Sequence, residues 1–106
     1  MKGILIPLLL CMAVVFMAGN ASPILQDTVK FNGTPQANAI VQVTQNGTTT
    51  DYYTNAYGIV TIYGLQTGSC HVHAAKKIGG TWKEDNKDLT LVDGWNIIVQ
   101  NLHDPD

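Results

Sequence analysis

From Ser22 to the C-terminus, apolar and polar residues alternate with a period of two, and no stretch repeats its apolar residues at helical spacing. That pattern predicts strands at 27–31 (DTVKF), 38–45 (NAIVQVTQ), 48–54 (TTTDYYT), 58–63 (GIVTIY), 69–76 (SCHVHAAK), 81–84 (TWKE), 87–92 (KDLTLV) and 95–102 (WNIIVQNL). Val, Ile, Thr and Tyr, which suit a pleated surface, dominate them. Turn signals fall between: Asn32–Pro35, Asn46-Gly47, Asn55–Gly58, Gln66–Gly68, Gly79-Gly80, Asp85-Asn86 and Asp93-Gly94. Asn46-Gly47 suits a tight hairpin because both residues tolerate positive φ. Short strands with turns roughly every 8–12 residues predict an all-β fold, an antiparallel Ig-like sandwich of about seven strands. Residues 22–26 read as a loose leader and 103–106 as a frayed tail.

Alternation also sorts the faces. Ala39, Val41 and Val43 are expected inward, as are Val60, Ile62, Cys70, Val72 and Ala74. Leu65, bracketed by Gly64 and Gly68, is expected to plug one end of the core. Thr61, Tyr63, His71 and His73 are expected outward, and Ile40, Ile59 and Ile98 fall on nominally outer faces. Asp27, Asp51 and Asp93 read as markers of turns or strand ends.

The first residues follow a different rule. Lys2 precedes an uncharged apolar run, Ile4 to Ala18, and Gly19 and Ala21 then supply small residues before Ser22. This is the pattern of a secretory signal peptide, expected as a helix over 1–21 and cleaved to leave one domain, 22–106, secreted or at the cell surface. The run is shorter than the roughly 18–20 residues that span a bilayer, and Pro7 interrupts it, so membrane contact is expected only through this segment if it stays uncleaved. Cys11 lies inside the run without small residues before it, unlike a lipoprotein signal. Residues 22–106 carry five lysines, eight acids and no arginine, which excludes a nucleic-acid partner. Cys70 is their only cysteine, so no internal disulfide forms there and the thiol is expected to be buried.

The order NGTPQANAIVQV, TNAYGIVTIYGLQTGSCHVHA and DGWNIIVQNL resembles the carboxypeptidase regulatory-like domain, within the wider prealbumin-like group of β-sandwiches. The match spans residues 29–102. It rests on Gly33-Thr34-Pro35, Ala39, Thr54–Gly58, Val60, Ile62, Gly64–Gly68 and Ala74. Asn55 stands where that pattern has Asp, and Cys70 where it has an aromatic residue. Similar spacing occurs in Cna-B and Ig-like adhesin domains. The resemblance therefore implies a prealbumin-like sandwich and leaves the activity open.

Candidate chemistry is sparse. His71 and His73, at i and i+2 of one strand, share a face and could chelate a transition metal, but no third ligand motif stands near them. Ser22 and Ser69 lack a nucleophile elbow, and Cys70 and His71 point to opposite faces. Glu84, Asp85 and Asp88 mix with Lys83 and Lys87 in what reads as a solvated hairpin. The Cna-B likeness implies a Lys30–Asn101 amide crosslink, yet alanine occupies position 74, where the assisting acid belongs. Tyr63 and Trp82, with His71 and His73, make a candidate ligand or partner face. Asn32 and Asn46 open Asn-Gly-Thr sequons. The sequence thus leads to the expectation of a non-enzymatic module without a cofactor, serving adhesion, surface structure or binding of an extracellular protein or glycan. Self-association through an edge strand is expected too. The alternatives are a carbohydrate-binding or enzyme-accessory domain and a metal-binding protein using His71 and His73.

Overall fold

The computed structural model describes residues 22–106; the segment read as a signal peptide lies outside the described residues. Eight strands follow in order: β1 (Pro23–Phe31), β2 (Thr34–Pro35), β3 (Ile40–Gln45), β4 (Thr48–Tyr53), β5 (Ile59–Ile62), β6 (Gly68–Ile78), β7 (Thr81–Leu91) and β8 (Gly94–Asn101). They form two sheets packed face to face. In one, β5 and β2 pair with one edge of β1 and β8 with the other; the second runs β4-β3-β6-β7. All pairings are antiparallel except β1 with β8, which run parallel over eight registered positions from Pro23↔Gly94 to Lys30↔Asn101.

The core is what alternation predicts at most positions. Leu25, Val29, Val60 and Ile62 from the first sheet meet Val41, Val43, Cys70, Val72, Ala74 and Leu91 from the second, all buried. Burying each large aliphatic side chain among them contributes roughly 1.5–3 kcal/mol. Leu65 packs against this core from the end but stays half-exposed. The thiol of Cys70 is buried, and burial pushes its pKa up.

Four local expectations change. Residues 23–26 are not a loose leader, because Pro23 and Leu25 bury their side chains and the backbone pairs with β8. Asp85-Asn86 is not a turn: β7 is one continuous strand facing β6 along its whole length. Polar residues in its middle resemble a break in sequence, but they alternate between the inner face and solvent as a strand requires. In β8 the faces are reversed, with Ile97 and Val99 exposed and Ile98 and Gln100 turned inward. The buried Gln100 amide donates to the carbonyls of Val72 (3.0 Å) and Asp85 (3.1 Å), so a polar residue occupies the side that hydropathy assigns to its neighbours. Finally, Asp27 marks no strand end; it lies mid-β1 and is fully buried. At the C-terminus, Glu84 and His103 exchange backbone hydrogen bonds of 2.8 and 3.0 Å, which ties the start of the tail to β7.

The TNAYG segment is built as a turn held by Thr54, Asn55 and Gly58. The buried Thr54 hydroxyl donates to the Gln36 carbonyl (2.6 Å) and accepts the Ala39 N–H (2.9 Å). Asn55 Oδ1 accepts the N–H groups of Tyr57 (2.8 Å) and Ile59 (3.1 Å), the task an Asp would perform there. Gly58 has φ 76°, and a Cβ on it would lie 2.8 Å from Gln36 N and 2.9 Å from Pro35 Cβ.

Candidate functional site: the outer face of the four-stranded sheet

The register of β4-β3-β6-β7 fixes which outward side chains share a row. Tyr53, Ile40, Ala75 and Glu84 form one row, Asp51, Gln42, His73 and Asn86 the next, and Thr49, Thr44, His71 and Asp88 a third. Trp82, level with Lys77, closes the aromatic end. Because successive residues alternate sides, this face collects polar groups from four strands while Val41, Val43, Val72 and Ala74 take the inner side.

Both histidines are held between acceptors. His71 Nδ1 lies 2.6 Å from Asp88 Oδ1 and its Nε2 3.0 Å from Asn86 Oδ1. The hydrogen bond to Asp88 raises the His71 pKa above its ordinary value; partial burial opposes this and Asn86 adds to it. His73 Nδ1 faces Gln42 Oε1 at 3.1 Å, and its Nε2 faces Glu84 Oε1 at 3.0 Å. A metal on this pair would first have to displace an oxygen partner from each ring. Among the described residues no group of three or more His, Cys, Asp or Glu side chains could hold a metal ion.

Two shallow depressions flank the histidine rows. One, of about 190 Å³, lies between Tyr53 and Trp82 over Ile40 and Ala75, with Asn38 and Lys77 at its rim. Tyr53 and Trp82 are 61% and 55% exposed. The other, of about 400 Å³, is lined by Ser69, Thr44, Thr90, His71 and Asp88. Of the candidate face read from sequence, His71, His73 and Trp82 therefore meet on one surface. Tyr63 follows β5 of the opposite sheet and lies off it. Sequence reasoning missed Tyr53, which the Ile40↔Tyr53 pairing brings to the aromatic end while Tyr52 turns to the core. It also missed Glu84, Asn86 and Asp88 as partners, because a turn drawn through Asp85-Asn86 hides their alignment with β6.

Lys30 and Asn101 are level across β1 and β8, but on the outer side of the other sheet, while Ala74 faces the core. No acid at position 74 reaches them.

No family model matches the chain, and no curated protein is significantly similar to it. Among solved structures it is similar to the 5-hydroxyisourate hydrolase of Klebsiella pneumoniae, with a TM-score of 0.52 and 17% identity over 79% of this chain and 94% of that one. This chain therefore has the fold of the prealbumin-like (transthyretin-like) β-sandwiches. The same neighbour corrects one expectation. The module was expected to be non-enzymatic, yet a hydrolase has the same fold, so absence of catalysis does not follow from this architecture.

Proposed function

We propose that this chain is a secreted or cell-surface, carboxypeptidase regulatory-like module that binds an extracellular glycan across the outer face of β4-β3-β6-β7. One observation carries the reading. Two exposed rings, Tyr53 and Trp82, flank an apolar floor of Ile40 and Ala75, and rows of hydrogen-bonding Gln42, His73, Glu84 and Asn86 begin beside it. Rings of this kind stack on the C–H faces of sugars while amides, acids and imidazoles meet the hydroxyls. A glycan array followed by calorimetry tests it. Trp82→Ala and Tyr53→Ala are expected to weaken binding at least tenfold, and Tyr63→Ala, off the face, to leave it unchanged. A peptide that competes for the same face would assign the partner to protein. Binding that Tyr63→Ala alone abolishes would move the site to the other sheet.

A second reading is favoured by the likeness to a hydrolase together with the His71–Asp88 pair. An imidazole oriented by a carboxylate is the arrangement a general base needs, and Ser69 lines the same depression. Turnover of 5-hydroxyisourate, followed by absorbance, tests this reading directly. Activity lost in both His71→Gln and Asp88→Asn supports it; no turnover above the uncatalysed rate rejects it for that substrate.

We also propose that the free edge of β8 pairs with a second copy. Among the described residues no strand pairs with that edge, and Gly94–Asn101 carries no charge and no proline to guard it.

A further inference from the structure

Where β1 faces β7, the interior holds acceptors without donors. Asp27 lies mid-strand with its side chain fully buried, and among the described residues neither Oδ1 nor Oδ2 has a hydrogen-bond partner. Gln100 is also fully buried. Its Nε2 is committed to Val72 O, Asp85 O and, at 3.3 Å, Asp85 Oδ2, which leaves its Oε1 without a partner. In the parallel register Asp27 is level with Ile98 and Val29 with Gln100, so Asp27 and Gln100 are diagonal neighbours on one inner face.

The charged groups that bear on Asp27 come from β7: the carboxylate of Asp85 and the ammonium of Lys87. β5 offers Val60, level with Asp27, and β8 offers Ile98 and the Gln100 amide. The inward titratable groups of β6 are Cys70, which burial keeps protonated, and Lys76, whose ammonium donates to the Ala37 carbonyl at 2.6 Å. An ionised Asp27 would thus be a buried charge beside a second carboxylate, with no hydrogen bond to either oxygen and only the Lys87 ammonium to offset it, a costly state for such a group. A proton removes the charge and turns one acceptor into a donor.

We propose that Asp27 is a protonated carboxylic acid in the folded chain, and that loss of this proton is a pH-sensitive release for the closure of β8 and the C-terminal tail onto β7. Asp85 is the joint through which it acts. The Asp85 carboxylate accepts from Gln100 Nε2 and meets His103 Nε2 at 3.3 Å, so a new charge on Asp27 repels a group bonded to both β8 and the tail. Burial first, then the charge of Asp85, push the Asp27 acid up to about 7, against the opposing effect of Lys87, which places the release near neutrality.

The test uses the full chain. The Asp27 carboxyl carbon is titrated by 13C NMR, and amide exchange at Gln100, Leu102 and His103 is followed from about pH 5 to about pH 8.5. The expected result is a carboxyl midpoint near 7, with protection of those amides falling at least tenfold across the same midpoint. Asp27→Asn keeps them protected throughout, whereas His103→Gln, which removes the tail imidazole, leaves the fall at Gln100 in place. A carboxyl midpoint in the ordinary range near 4 overturns the proposal, as does an undiminished fall of protection in Asp27→Asn. If Asp27→Asn does not fold, the midpoint of the native chain still decides.

Discussion

At the scale of single residues, Gly58 is constrained twice. Its φ of 76° is unfavourable for any residue with a Cβ, and its Cβ position is already occupied by the β1–β3 connection. Gly58→Ala is therefore expected to cost at least about 2 kcal/mol, read as a lower denaturation midpoint with an unchanged m-value. Leu65→Ala should cost less than a deletion at the core centre, about 1–2 kcal/mol, because Leu65 is only half-buried. His71 gives a prediction free of stability assays. Asp88→Asn removes the main cause of its raised pKa, so the imidazole midpoint followed by NMR should move down toward 6.5. An unmoved midpoint would show that Asn86 and the surrounding field set it instead.

At the scale of elements, β7 and β8 hold most of what alternation alone misreads. A strand with Lys83, Asp85 and Lys87 on its inner side scores as polar, and only its pairing with β6 from Ile78↔Thr81 to Gly68↔Leu91 shows that it is continuous. β8 presents Trp95, Ile97 and Val99 outward, 55%, 67% and 43% exposed, along an edge without a strand partner among the described residues. A charge in the middle of such an edge blocks pairing with another strand. Ile97→Lys is therefore expected to shift the chain from dimer to monomer in sedimentation velocity while leaving its melting temperature nearly unchanged. A native chain that sediments as a monomer at about 100 μM would reject β8 pairing at any affinity that matters in solution.

At the scale of the whole molecule, the shifted groups set a common direction with pH. A buried acid held at about 7 contributes stability that is complete below its unfolded value near 3.8 and is lost as pH rises through 7. The raised imidazoles of His71 and His103 contribute below about 6.5 and lose that contribution as pH rises through their folded values. Asp104, lowered by the Lys83 ammonium, acts oppositely: its contribution is present above about 3.8 and lost as pH falls through the folded value. Thermal unfolding should therefore show a maximum near pH 4, a decline through pH 7, and a melting temperature lower by roughly 10 °C at about pH 8.5. A flat profile over that range would mean that Asp27 is already ionised in the folded chain. Export is a separate prediction for the first residues: in a secreting host, N-terminal sequencing of the released protein should begin at Ser22.

The sequence by itself determined the all-β class, the turns at Asn46-Gly47 and Asn55–Gly58, and the inward set Val41, Val43, Val60, Ile62, Val72 and Ala74. Those features depend on local φ preferences and on a period of two, both of which are written in neighbouring residues. Tertiary structure decided the rest: the parallel β1–β8 pairing, the continuity of β7, the inward turn of Asp27 and Gln100, and the meeting of Tyr53 with Trp82. All but the continuity of β7, which its hairpin register with β6 decides, bring together segments far apart in the chain. The inward turn of Gln100 is met by carbonyl and carboxyl groups of distant strands, Val72 and Asp85, which no local pattern announces. His71 and His73 show both sides of that division. Alternation placed them on the outer face, and only the alignment of β6 with β7 and β3 gave each ring its oxygen partners.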